Sequence, residues 1–131
     1  MLVSRQGFTL IELLIVVVIL GILASIAIPK FVNTKEKTYI AAMKADLRNL
    51  STVEEAFFYD STYYTDRDNL IAQNRYSESS GVTVNTPEAT PGGWSAEAVH
   101  AQLPGRKCFL YSGNATPVGP SGTPEGRIVC T

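Results

Sequence analysis

The sequence predicts an α+β fold: a long N-terminal helix with a hydrophobic first half, packed by its second half on a three- or four-stranded antiparallel sheet. Three observations carry that expectation. Residues 13–28 hold no charged side chain and are mostly Leu, Ile, Val and Ala. Apolar residues then recur at helical spacing as far as Phe57, and after residue 81 short strand-like runs alternate with Gly- and Pro-containing turns. A chain of 131 residues has room for one domain and an appended segment, not for two ordinary domains.

The first segment is of membrane length. Residues 8–28 make a run of 21, enough for a spanning helix at about 1.5 Å per residue. A secretory signal has a shorter apolar core and a small-residue cleavage site. Only Ala24-Ser25-Ile26-Ala27 approaches such a site, so the segment reads as retained. Arg5 precedes the run, and Lys30, Lys35 and Lys37, offset by Glu36, follow it. Flanking charge alone therefore does not put the C-terminus outside. One acid, Glu12, stands near the front of the run. A carboxylate at the centre of a membrane helix costs about 2.5–3.5 kcal/mol, and less toward the interface. Either Glu12 snorkels into the headgroups of a simple anchor, or it meets a positive charge supplied by another chain.

Residues 33–59 read as the amphipathic continuation of the helix. Ile40, Met43, Leu47, Leu50 and Phe57 fall on one face. Lys37, Lys44, Asp46, Arg48, Glu54 and Glu55 are expected largely on others. Glu54 takes the heptad position between Leu50 and Phe57, which argues against a coiled coil. Residues 60–81 read as a connecting loop with one short helix. Residues 82–131 then hold four candidate strands, 82–86, 94–101, 107–112 and 127–130, punctuated by Pro91-Gly92-Gly93 and Leu103-Pro104-Gly105. Short connections favour an antiparallel meander, and so small a sheet needs the amphipathic half-helix as its cover.

The two cysteines, Cys108 and Cys130, are too few for a zinc site and too far apart for a C-x-x-C motif. The preferred reading is a disulfide closing a loop with three prolines, against the alternative of two free buried thiols. The bridge requires an oxidising compartment, hence a periplasmic or extracellular C-terminal part. The chain-entropy contribution of such a loop is roughly 3 kcal/mol.

The search for chemistry returns no enzyme. His100, the single histidine, stands without a nucleophile or carboxylate partner in recognisable context and reads as a strand residue. Asp66-Arg67-Asp68-Asn69 has a faint look of calcium ligation but lacks the Gly and terminal Glu of an EF-hand loop. Gly-rich phosphate loops are absent from the sequence. Neither cofactor nor metal is expected. A net charge of −1 without a basic stripe makes nucleic acid an unexpected partner. Phe31, Tyr39, Phe57, Phe58, Tyr59, Tyr63 and Tyr64 read as packing residues rather than an electron path.

Gly7-Phe8-Thr9-Leu10-Ile11-Glu12, with the apolar run behind it and Gly21 and Pro29 further on, resembles the N-terminal signature of type IV pilins and their pseudopilin relatives. Asp46-Leu47-Arg48-Asn49-Leu50 resembles the second half of the long helix in short bacterial pilins. Beyond residue 65 the resemblance is one of architecture.

The resemblance implies a leader of residues 1–7, cut between Gly7 and Phe8 by a prepilin peptidase, with N-methylation of the new amino group on Phe8. A leader of this length followed by Phe is similar to the type IVa class. Glu12 would then neutralise the Phe8 ammonium of a neighbouring subunit, because either charge alone is expensive in an apolar bundle and the pair is less so. Gly21 and Pro29 would make the intervening helix its softest part, through low propensity and a missing donor; the alternative is that a membrane helix merely tolerates both.

On this resemblance the chain is a structural subunit held in the bacterial inner membrane with a periplasmic C-terminus. It would polymerise into a homo-oligomeric cell-surface filament (a fimbrium) with the help of an assembly ATPase and a platform protein. The alternatives are a minor pilin, a secretion or competence pseudopilin, and a monomeric membrane-anchored periplasmic binding domain. The major secretion pseudopilin usually carries acidic calcium ligands in its C-terminal loop. Residues 112–126 hold one acid, Glu125, which tilts the reading toward a pilus subunit.

Overall fold

The computed structural model describes residues 7–131, and the chain forms two compact units that meet between Lys35 and Glu36. The expected leader, residues 1–7, lies outside the described residues except for Gly7. Helix α1 (Leu10–Ser61) carries the first unit and continues into the second. Within the first unit it runs without interruption through Pro29. Proline supplies no N–H to the Ser25 carbonyl four residues back, so the loss is confined to one rung.

In the second unit the α1 face made by Met43, Leu47, Leu50 and Phe57 is buried, with Ile40 partly so. Asp46 and Glu54 depart from the sequence expectation: both are buried. Their positions explain it, because Asp46 lies three residues from Met43, and Glu54 lies between Leu50 and Phe57 on the same stripe. The stripe is continuous in space although its chemistry is broken twice.

Strands β1 (Val82–Thr90), β2 (Gly93–His100), β3 (Lys107–Gly113) and β4 (Val129–Cys130) form one antiparallel sheet in the order β1-β2-β3-β4. Alternation sends Trp94, Ala96 and Ala98 to the core with Val82, Val84, Cys108 and Leu110. The register sets Val84 beside Ala98, Ala98 beside Cys108, and Cys108 beside Cys130. Small alanines at the centre of the sheet leave room for the helical leucines in the same core.

β1 extends beyond the expected 82–86, through Pro87. Proline is tolerated there because β1 is an edge strand and the register shifts between Asn85 and Glu88. β4 is shorter than the expected 127–130. The Arg127 N–H donates to the Pro124 carbonyl at 3.3 Å in a turn instead of joining the ladder. A short helix, α2 (Arg67–Ala72), occupies the connecting loop. Asp66 is its N-cap, accepting from the Asn69 N–H at 2.8 Å. That capping role, rather than calcium ligation, accounts for the Asp-Arg-Asp-Asn run.

Candidate assembly site

The chemistry that the sequence concentrates near the N-terminus lies in the first turn of α1. Thr9 immediately precedes the helix, and its carbonyl accepts the first helical bond, from the Leu13 N–H at 3.3 Å. Its backbone N–H and its hydroxyl both donate to Glu12 Oε2, at 2.8 and 2.6 Å. The Glu12 N–H donates back to Thr9 Oγ1 at 3.3 Å. This is a capping box, in which the N-cap hydroxyl and the carboxylate three residues on satisfy each other's backbone donors. The T-x-x-E spacing announces it, and sequence reasoning directed at charge overlooked it. Among the described residues Glu12 Oε1 accepts no hydrogen bond, and the side chain is exposed. The carboxylate can therefore close its own helix and still face a cation.

Around it the helix is apolar and uncovered. Phe8 is 81% exposed, and Ile15, Val17 and Ile19 remain near half exposed although they lie mid-helix. An 18-residue window of α1 has a mean hydropathy of 3.0, so the helix is long and apolar enough to cross a membrane. A Cβ at Gly7 would meet nothing within 4 Å, and the same holds at Gly21. Neither glycine is demanded by packing among the described residues.

The second unit carries its own polar fastenings. The Asp46 carboxylate accepts from the Ser79 N–H and from the Ser79 hydroxyl, both at 2.7 Å. The Tyr76 hydroxyl donates to the Asp46 carbonyl at 3.3 Å, and burial, then the Asp46 charge, holds the Tyr76 phenol well above its usual range. Glu54 is fully buried, with Oε2 accepting from the Thr65 N–H at 3.2 Å and Oε1 unpartnered among the described residues. Burial pushes its carboxyl up to about 7, with Asp66 and Glu55 adding to the rise and the Thr65 N–H opposing it. His100 is a buried strand residue, stacked on Tyr39 at 4.2 Å, and its Nδ1 accepts from the Gln102 N–H.

Cys108 and Cys130 are joined in a disulfide across the β3–β4 pair, with Cα atoms 4.0 Å apart. The segment between them folds back over the sheet. Gly119 lies against Phe109 so closely that a Cβ would fall 2.6 Å from the ring, and its φ of 94° suits glycine. Glu88 accepts from the Thr116 N–H, and Glu125 accepts from the Gly113 N–H at 2.7 Å. Glu125, the one acid of residues 112–126, is thereby engaged by the backbone.

Residues 3–28 match the family described as the prokaryotic N-terminal methylation motif. Over 67 residues the chain is 46% identical to the type IV major pilin protein PilA of Myxococcus xanthus, covering 51% of this chain and 30% of that protein. It is 43% identical over 53 residues to a fimbrial protein of Pseudomonas aeruginosa, covering 40% of this chain and 34% of the relative. It is 33% identical over 61 residues to type II secretion system core protein G of the same organism, covering 47% and 43%. The matched stretch thus spans less than half the length of each of these relatives.

Proposed function

We propose that this chain, which is similar to type IV pilins and pseudopilins over its N-terminal half, is the structural subunit of a type IV pilus. It is cut between Gly7 and Phe8 by a prepilin peptidase and methylated on the Phe8 amine. It waits in the inner membrane with its C-terminal part in the periplasm, and polymerises through residues 8–58 with the aid of an assembly ATPase and a platform protein. The observation that carries the reading is the first turn of α1. An exposed apolar helix begins with a carboxylate that already caps its own chain through one oxygen and keeps the other free.

In an apolar bundle the Phe8 ammonium of a neighbour is the group that makes this carboxylate cheap to bury, and it does so only at the right axial step. Glu12 thus acts as a register device. Gly7 leaves the backbone bare where the peptidase must approach. Gly21 and Pro29 give the segment between them the freedom to loosen during packing. A second reading, a secretion pseudopilin or minor pilin, is favoured by the match to core protein G. The higher identity to two pilus proteins supports the first. So does the C-terminal loop, closed by a disulfide and with its acid bound to a backbone N–H.

The capping box separates the two roles of Glu12. Glu12→Gln keeps a side chain that serves in such a box but carries no charge. Thr9→Val removes the cap and leaves the charge. Electron microscopy of sheared filaments, with mass spectrometry of their N-termini, should find filaments starting at methylated Phe8 for the parent and for Thr9→Val. Glu12→Gln should give processed, membrane-held chains without filaments. Normal filaments from Glu12→Gln would overturn the register role.

A further inference from the structure

The carboxylates of the second unit are all occupied, and its unused charge is positive. Of the twelve Asp and Glu side chains in the whole chain, five sit in ion pairs. The other seven accept hydrogen bonds from hydroxyls or backbone N–H groups. Arg67, Arg75, Arg106 and Lys107 answer the paired acids. Lys44, Arg48 and Arg127 answer none among the described residues, and all three line the same open cleft of about 570 Å³.

The fold makes this convergence. Lys44, Arg48 and Ser51 follow at i, i+4 and i+7 on α1 and so share a helix face. Arg127 enters from the opposite wall. It is held by its N–H bond to the Pro124 carbonyl, by the Gly126 N–H bond to the Tyr111 carbonyl, and by β4, which the disulfide staples to β3. Leu110 and Ile128 complete the lining. Three like charges facing one cleft repel one another, and the arrangement is relieved by a multivalent anion. Two guanidinium forks with a lysine and a hydroxyl match the oxygens of phosphate or carboxylate groups.

We propose that this cleft binds a compact oxyanion of two or more charges, a diphosphate or a polycarboxylate, through Lys44, Arg48 and Arg127. A second unit from another copy of the chain is a poor occupant, since each of its carboxylates is already held by a cation or a hydrogen-bond donor. Single-stranded nucleic acid is disfavoured because the cleft lining contains no aromatic platform for bases. The site is independent of the filament reading, so either can fail without the other.

The test is calorimetric titration of the full chain, in uncharged maltoside micelles at low ionic strength, with inorganic pyrophosphate and separately with citrate. At least one should bind saturably at one per chain, and the two titrations identify the preferred oxyanion. Arg48→Gln and Arg127→Gln should each weaken that binding roughly tenfold or more, with a melting temperature no lower than the parent's, because neither side chain has a partner to lose and each loss relieves repulsion. Lys37→Gln, a cation outside the cleft lining, should bind as the parent does. Absence of binding for both anions would overturn the site. So would equal loss in Lys37→Gln, or binding only of a twelve-nucleotide single-stranded DNA included as a polyanion control.

Discussion

Residues 10–32 and residues 43–57 belong to one helix but resolve burial in opposite ways. In the later stretch Met43, Leu47 and Leu50 are wholly buried against strands of the same chain. In the earlier one Val17 is still 52% exposed and Leu23 59%. The later stretch is narrowly amphipathic, so one sheet suffices to cover it. The earlier stretch is apolar all round, and only lipid or several other helices can cover such a surface. One half of the helix is thus covered within the single chain, and the other is left for lipid or other helices to cover.

Substitutions should respect this division. Leu50→Ala opens a cavity in a closed core and should cost about 2–5 kcal/mol of unfolding free energy, read from denaturation of the full chain through the buried Trp94. Ile15→Ala should move that transition by less than about 0.5 kcal/mol while reducing filament yield. Equal effects of the two on the transition would erase the distinction.

The disulfide sharpens the same contrast, because it acts wholly within the second unit. Replacing Cys108 and Cys130 by Ser together should lower stability by roughly 3 kcal/mol. Membrane insertion of the first unit should be untouched. If denaturation curves with and without reductant coincide, the loop is held by Phe109, Glu88 and Glu125 alone.

A smaller effect comes from Glu54. Its carboxyl is raised from 4.5 to about 7 by burial, so the folded chain holds a proton that the unfolded chain has released across that interval. Stability is then highest below about pH 4.5 as far as this group is concerned, and falls as pH rises through the interval to about 7. The loss is on the order of 2–3 kcal/mol. Glu54→Gln retains an acceptor for the Thr65 N–H and should flatten that slope, gaining most near pH 8. A slope that persists in Glu54→Gln would assign the effect to another group.

Much of the fold and the N-terminal part of the candidate site were legible because they depend on residues close in sequence. The apolar run, the helical spacing of Met43, Leu47 and Leu50, and the Gly7-Phe8 and Glu12 constellation are all local patterns. The capping box was equally local, in the spacing of Thr9 and Glu12. Two expectations failed where a local rule met a tertiary exception. The strand expected over residues 82–86 continues through Pro87, because an edge strand with a register shift does not need the missing N–H. Asp46 and Glu54 were assigned to outer faces by charge, whereas their phase on the helix put them in the core, where Ser79 and Thr65 supply donors.

The sequence by itself determined that this chain has a membrane-length helix with one acid in its first turn, an amphipathic continuation, and a small antiparallel sheet, with a disulfide as the preferred reading of its two cysteines. Helical phase, strand alternation and turn chemistry act over a few residues and need no partner to be read. Only the tertiary structure decided which carboxylates are buried, and that Glu125 serves a backbone N–H. It alone brought Arg127 across a cleft from Lys44 and Arg48. Those outcomes depend on residues tens of positions apart becoming neighbours, and a net charge of −1 conceals a cationic cleft until every acid has been given its partner in space.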